Sequence, residues 1–173
     1  IQNDNSLIIS SRKKAPASLI ILALPKNIKI VINAFNTNFS IQDISGLITI
    51  ETIAGDIKAR NVEGNVTIRS GRGNITISDS QGNISIFGEH GIIALDSLHG
   101  KINSTNVIGP IQFNSSLLNG DDIFLETDHG SVRATLLESD TSAIKIWTTN
   151  GTVTCLLPNV KANNTTCNRH LAD

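Results

Sequence analysis

The sequence is poor in aromatic and charged side chains. Aromatic residues make up 3% of the 173 residues and charged residues 17%, with no Met, no Tyr, one Trp and two Cys. A core must therefore be packed from aliphatic side chains, and the chain is long enough to bury one. The net charge of −1 gives no cationic surface for a phosphate backbone, so nucleic acid is not an expected partner.

Long apolar runs are also missing. The longest, residues 19–24, is far shorter than the ~20 residues that a transmembrane helix needs, so no membrane span is expected in this segment. Ile and Asn are the most frequent residues, and Ser and Thr are abundant. All four have low helix propensity, and Ile and Thr favour strands. These features predict an all-β fold instead of a helical bundle.

Glycine recurs at a spacing of nine residues. Within each unit the second and fourth residues after Gly are usually apolar, as in Ile75 and Ile77, and the residues between them are mostly polar. This alternation predicts a short strand with one face in a core and the other in water. Its regular spacing is typical of stacked copies of one unit. The spaced glycines are Gly46, Gly55, Gly64, Gly73, Gly82, Gly91, Gly100 and Gly109.

A nine-residue unit has no room for a crossover helix and cannot bury its apolar face alone. Successive strands must therefore stack in parallel about 4.8 Å apart, which makes a parallel β-solenoid, or β-helix. We expect two units per coil, with Gly46 and Gly64 on one wall and Gly55 and Gly73 on the other. Gly at each corner permits backbone angles that side chains forbid.

Three segments are expected along the chain. Residues 41–157 form the solenoid, with longer corners after Gly109, where the glycine spacing loosens. Residues 1–40 contain apolar strands broken by prolines. They are expected to form an N-terminal capping sheet, because uncovered strand edges invite aggregation. Residues 158–173 are expected to form a C-terminal cap or the start of a further module.

Two motifs combine in residues 18–157. The segment Leu24-Pro25-Lys26-Asn27-Ile28-Lys29-Ile30 leads into units such as Ser45-Gly46-Leu47-Ile48-Thr49-Ile50 and Gly73-Asn74-Ile75-Thr76-Ile77. The combination resembles the family of adhesin-like repeat domains of bacterial and eukaryotic surface proteins. That resemblance implies a parallel β-solenoid at the cell surface or envelope, and it implies no catalytic residues.

Asn-x-Ser/Thr sequons are more frequent than composition predicts, which suggests N-glycosylation of a secreted chain. The repeat itself offers a second explanation, because it places Asn and Ser or Thr at outward positions where polar ladders stabilise stacked strands. Both explanations stay open at this point. The sequons begin at Asn38, Asn65, Asn74, Asn83, Asn103, Asn114, Asn150, Asn163 and Asn164.

The two cysteines, Cys155 and Cys167, lie near the C-terminus. A disulfide between them would suit an extracellular chain, and by chain entropy it would stabilise the fold by about 3 kcal/mol. The alternative is two unpaired thiols, with Cys155 facing inward from a strand. Two cysteines are too few for a zinc-finger site unless histidines such as His170 join them.

Three His-Gly pairs recur, at His90, His99 and His129, and Glu89 and Asp128 adjoin two of them. They could form a metal ladder along the corners. We favour the simpler interpretation that these corners tolerate polar side chains, so neither a metal nor any other cofactor is expected.

Catalysis is not expected either. Polysaccharide-cleaving solenoids need clustered carboxylates in a cleft, whereas here the acidic residues are scattered and the corners are short. A flat hydroxyl array for ice binding would place Thr49, Thr67 and Ser85 in one row, but Asn103 interrupts it.

These features lead to an extracellular structural module. We expect a rigid β-solenoid unit of a cell-surface or matrix fibre, glycan-coated and self-associating end to end through its open strand edges. The alternative is a surface adhesin or carbohydrate-binding module that displays aromatic residues on one wall. The candidates for that role are Phe87, Phe113, Phe124 and Trp147, of which Phe113 falls on the core face.

Overall fold

The computed structural model describes residues 6–10, 18–22, 27–116, 118, 120–137, 142–156, 161–162 and 166–169. The side chains of 18–22, 161–162 and 166–169 are outside this description. Every regular element in this part of the chain is a β-strand, and the strands join in one sheet. They are β1 Ser6–Ser10, β2 Ser18–Leu22, β3 Ile28–Ala54, β4 Ile57–Arg72, β5 Ile75–His90, β6 Ile93–Ile108, β7 Ile111–Ser116, β8 Asp122–His129, β9 Val132–Leu137, β10 Ala143–Asn150, β11 Val153–Leu156, β12 Lys161–Ala162 and β13 Thr166–Arg169.

The long strands β3 to β6 pair in parallel, each with the next. Gly46 pairs with Gly64 and Gly64 with Gly82, so residues 18 apart in sequence lie on neighbouring coils. The predicted parallel β-solenoid with two nine-residue units per coil is therefore confirmed. No helix in the described part of the chain is long and apolar enough to cross a membrane.

Each coil contributes one strand segment to each of two walls, and equivalent residues of successive coils form a column. Wall 1 consists of residues 29–33, 47–51, 65–69, 83–87, 101–105, 122–126 and 143–147. Wall 2 consists of residues 39–42, 57–60, 75–78, 93–96, 111–114, 132–135 and 153–156.

The core is a set of aliphatic columns between the walls. Ile50, Ile68 and Ile86 stack in one such column, and each is at most 2% exposed. Branched side chains suit this arrangement because each packs on a copy of itself one coil away. Burial of one Ile side chain contributes about 1.5–3 kcal/mol. Phe39 and Phe113 are the aromatic residues of this core.

Glycine fixes the corner next to wall 1. Gly64 has a φ of +118°, and a Cβ atom there would overlap the carbonyl oxygen of Gly46. A side chain is thus excluded both by the backbone angle and by the neighbouring coil. At the other end of this corner, where the chain leaves wall 2, the non-glycine residues Asp43, Asn61 and Asp79 adopt positive φ values, which Asn and Asp tolerate best.

The coils lengthen after Gly109, as predicted. Lys101 pairs with Asp122, an offset of 21 residues, and the following strands keep that offset. Asp121, which is 5% exposed, organises the longer corner. Its carboxylate accepts hydrogen bonds from the backbone N–H of Gly100 at 2.7 Å and of Leu118 at 2.8 Å.

The two ends of the column differ. At the start, β1 and β2 each pair in parallel with β3, so they continue wall 1 and wall 2, respectively. At the other end, β13 pairs antiparallel with β10 and β12 pairs antiparallel with β13, which ends the parallel stack on wall 1. The predicted N-terminal capping sheet at 1–40, the C-terminal cap at 158–173 and the boundaries between segments stay predictions.

The glycine corner gives the first testable prediction. Gly64→Ala should lower the free energy of unfolding by several kcal/mol, because the new Cβ is strained and meets the Gly46 carbonyl. Gly120→Ala is the matched control, since Gly120 also has a positive φ, +90°, but no atom lies within 4 Å of the place that a Cβ would take. Urea unfolding followed by circular dichroism measures both. Equal losses in the two variants would contradict the stacking explanation.

Candidate functional site

The outer face of wall 1 differs in composition from that of wall 2. It carries Phe87, Phe124 and Trp147, whereas no outward residue of wall 2 whose side chain is described is aromatic, and most are polar or small, such as Lys58, Thr76 and Ala94. We call the outer surface of wall 1 around Phe87, Phe124 and Trp147 the aromatic face. The expected inward orientation of Phe113 is confirmed, since it is 2% exposed.

Cations lie over all three rings of the aromatic face. Lys145 Nζ is 5.5 Å from the ring centroid of Phe124 and 5.5 Å from that of Trp147. The register explains this, because Lys145 pairs directly with Phe124 on the next coil. Arg69 Cζ lies 5.9 Å from the centroid of Phe87 in the same way. Such contacts hold the rings in place at an exposed surface.

A groove with a volume of about 560 Å³ lies where wall 1 turns toward wall 2. Its apolar lining includes Phe35, Ile53 and Phe87, and the charged residues that line it within the described part of the chain are Glu51, Arg69 and Glu89. Ile53 is 56% exposed. The depression follows from Gly71, because the column of residues one coil apart reads Ile53, Gly71 and Glu89, and Gly71 leaves a gap between two larger side chains.

Ser70 also lines the groove, and it differs from the threonines Thr127 and Thr148 of its inward column. Thr127 and Thr148 donate hydrogen bonds to the carbonyl oxygens of Gly109 and Gly130, at 3.0 and 2.9 Å. Ser70 is 3% exposed, and its Oγ makes no hydrogen bond within the described part of the chain. A buried hydroxyl without a partner is destabilising. Within the described residues, the buried Ser104 Oγ and Asn106 Oδ1 also make no hydrogen bond.

Polar ladders hold the corners together elsewhere. Asn38 Oδ1 accepts a hydrogen bond from the backbone N–H of Asp56 at 2.8 Å, and Asp56 Oδ1 accepts one from that of Asn74 at 2.8 Å. Asn74 Oδ1 in turn accepts one from Ile92 N–H at 3.0 Å. Each side chain thus supplies a hydrogen-bond acceptor to the backbone of the following coil.

Another ladder changes the acidity of Asp43. Asn61 Nδ2 donates a hydrogen bond to Asp43 Oδ1, and Gln42 Nε2 donates one to Asp43 Oδ2 at 3.1 Å. The hydrogen bond from Asn61, followed by that from Gln42, lowers the pKa of the Asp43 carboxyl below its ordinary value. The carboxylate is exposed, so this ladder is a local feature of the surface.

The sequons fall into two groups, those whose asparagine side chain is hydrogen-bonded and those whose asparagine side chain is not. Asn83, Asn114 and Asn150 use their amide nitrogens in side-chain hydrogen bonds, to Asn65, Asp96 and His129, respectively. By contrast, the exposed Asn103 makes no side-chain hydrogen bond within the described residues. Asn38 and Asn74 belong to the corner ladder, and Asn65 accepts the bond from Asn83. The sequons at Asn163 and Asn164 lie outside the described residues.

The structure separates the three histidines. His90 and His129 occupy one column with Ile108 between them. His99 lies at the other corner, where Nδ1 is 3.4 Å from Asp121 Oδ2. In the part of the chain that the structure describes, no group of three His, Cys, Asp or Glu side chains is placed to hold a metal ion.

The described side chains include only one of the two cysteines of the predicted disulfide. Cys155 lies in β11, half-buried against the core. The side chain of Cys167 in β13 lies outside the described ones, so their pairing stays a prediction.

The predicted row of hydroxyl residues exists as one outward column of wall 1. It consists of Thr49, Thr67, Ser85 and Asn103, and Phe124 follows them.

A family model described as Toastrack DUF4097 matches residues 3–172. Comparisons with curated proteins and with solved structures give no match.

The Asp43 ladder gives the second prediction. Asn61→Gly removes the first hydrogen bond but keeps the positive φ of +50°, so the Asp43 pKa should rise toward its ordinary value. Because the pKa is lowered in the folded state, the stabilisation from this ladder is present at neutral pH and is lost as the pH falls through that lowered pKa. Carbon-13 NMR titration of the carboxyl measures the shift. Ser97→Gly, at the equivalent corner with a φ of +53°, should leave Asp43 unchanged, and an unchanged pKa in Asn61→Gly would refute the assignment.

Proposed function

This chain belongs to the Toastrack DUF4097 family, a family of parallel β-solenoids, and on that premise we propose that it is an extracellular structural module. Its role is that of a rigid unit in a cell-surface or matrix fibre. The observation that carries this proposal is the parallel pairing that continues on both walls from β1 and β2 to β10 and β11. Stacked at about 4.8 Å per strand, wall 1 forms a rod roughly 35 Å long.

An extracellular location agrees with two features of the chain. The sequons supply glycosylation sites on exposed positions such as Asn103. The predicted Cys155–Cys167 disulfide would join β11 to β13, strands that contact each other, and such bonds persist outside the cytosol. Mass spectrometry under non-reducing conditions detects that bond directly.

Self-association is proposed end to end, because a fibre needs a contact at both ends of the column. At the C-terminal end the antiparallel strands β13 and β12 cover wall 1, so the contact there is assigned to wall 2, whose outermost described strand is β11. At the N-terminal end, β1 and β2 are the outermost strands of the described sheet. Ile8 of β1 is 69% exposed, and an apolar edge strand favours pairing with another chain.

A second candidate function is supported by the aromatic face. Aromatic rings on an otherwise polar wall are typical of surfaces that bind sugars or other proteins, since they offer apolar area with little loss of side-chain entropy. The chain would then act as an adhesin or carbohydrate-binding module. Trp147, 40% exposed, is the most informative residue for this role, because its fluorescence reports directly on ligands at the aromatic face.

The fibre proposal predicts concentration-dependent association. Analytical ultracentrifugation should show oligomers at high protein concentration, and Ile8→Lys should return the protein to a monomer because a lysine disfavours edge-to-edge pairing. Ile92→Lys is the matched control, since Ile92 is also exposed, 40%, but lies in the middle of the column. A wild-type protein that stays monomeric and forms no fibres in electron micrographs would overturn self-association.

The glycan proposal predicts unequal use of the sequons. In protein secreted from a eukaryotic host, Asn103→Gln should remove the mass of one N-glycan. The double variant Asn65→Gln and Asn83→Gln should remove at most one, because these residues are paired on adjacent coils, about 4.8 Å apart. Intact-mass measurement before and after glycosidase digestion tests this. An unchanged mass after digestion of the wild type would refute glycosylation.

A further inference from the structure

We propose that the groove is a carbohydrate-binding site, in which one pyranose ring of a neutral glycan stacks on Phe87 and its hydroxyl groups bind the surrounding charged side chains. This inference rests on the second candidate function and locates its ligand. The groove is separate from the Phe124–Trp147 end of the aromatic face, and a cation lies over the rings at both places, Arg69 at Phe87 and Lys145 at Phe124 and Trp147.

The shape of the groove supports a ligand of this size. Its volume of about 560 Å³ falls within the range of roughly 300–1,000 Å³ that small-molecule sites occupy. The backbone preserves the depression, because a Cβ atom at Gly71 would lie 2.7 Å from the carbonyl oxygen of Ile53. The gap between Ile53 and Glu89 is therefore a fixed part of the fold.

The lining combines the two kinds of group that a sugar needs. A pyranose ring presents polarised C–H groups, which contact the negative face of an aromatic ring such as Phe87. Its hydroxyl groups donate to carboxylates and accept from guanidinium groups in charge-assisted hydrogen bonds. Glu51, Arg69 and Phe87 follow one another on three successive coils. Glu89 lies two residues beyond Phe87 along the same strand, so the guanidinium adjoins the ring and the two carboxylates lie farther out in the groove.

Ser70 provides an independent observation. It lines the groove, is 3% exposed, and its Oγ has no partner among the described residues. The corresponding Thr127 and Thr148 do have partners. A sugar hydroxyl seated in the gap above Gly71 would supply the missing hydrogen bond, which converts an unfavourable buried group into a favourable contact.

Other ligand classes fit the groove less well. Among the described residues that line the groove, two carboxylates against one guanidinium disfavour phosphate groups and acidic polysaccharides. A purely apolar ligand would remove water from Glu51, Arg69 and Glu89 without replacing their hydrogen bonds. A neutral, hydroxyl-rich ligand meets both requirements.

Heteronuclear NMR of the nitrogen-15-labelled chain tests the proposal. The probes are cellohexaose, laminarihexaose, chitohexaose and mannohexaose, each titrated to millimolar concentration. At least one should shift the backbone amides of Ser70, Gly71 and Phe87 in a saturable manner. The Trp147 indole N–H should move little, because it lies at the far end of the aromatic face.

Two groove variants and one control identify the contacts. Phe87→Ala and Glu89→Gln should each weaken the affinity for the same oligosaccharide at least tenfold. Both side chains are outward-facing, so the fold should be retained, as the spectrum of the free variant will show. Phe124→Ala removes a ring from the same wall outside the groove and should leave the affinity within twofold of the wild type.

Two results would overturn the proposal in different ways. Shifts confined to the Trp147 indole, together with loss of binding in Phe124→Ala, would reject the groove but keep carbohydrate recognition by the aromatic face. No shift with any of the four oligosaccharides would reject both. Neither result bears on the fibre proposal, which is decided by sedimentation.

Discussion

The whole column depends on the close contact between glycine corners of successive coils. At Gly64 and Gly82 the place of a side chain is occupied by the carbonyl group of the preceding coil. This contact brings the backbones close enough for parallel hydrogen bonding along both walls, and that spacing in turn lets each isoleucine pack on its equivalent in the next coil. The aliphatic core is thus a consequence of the corners as much as of the apolar pattern.

The sequence predicted most of this architecture because its two periodic signals are local. Glycine every nine residues and apolar residues at alternate positions are sufficient to predict the strands and the inward rows. The period by itself leaves the number of units per coil open, and the expected two are found in the register of the structure. Alternation did not predict the orientation of Ile53, which is 56% exposed, or of Val62, which is fully buried. These residues occupy the same position after Gly46 and Gly55, but one follows wall 1 and the other follows a tighter corner at Asn61.

The candidate site could not be predicted from the sequence, for a related reason. Phe35, Ile53, Gly71 and Glu89 are far apart in the chain, and they become neighbours only when the length of a coil is fixed. The missing side chain of Gly71 is then recognisable as a gap, whereas in the sequence it is one more glycine in a glycine-rich repeat. The unpartnered hydroxyl of Ser70 likewise depends on the exact positions of the adjacent carbonyl groups. The aromatic rings were anticipated, and the structure adds that Phe87, Phe124 and Trp147 share one wall.

The short separation of 18 to 21 residues between paired positions of the parallel strands from β3 to β11 has a consequence for how the protein reaches its folded state. Each new coil needs only the coil before it as a template, so no contact must wait for a distant part of the chain. A polypeptide that emerges N-terminus first from a ribosome or a translocation pore can therefore fold one coil at a time. The antiparallel strand β13, which emerges after β10, then covers the end of wall 1.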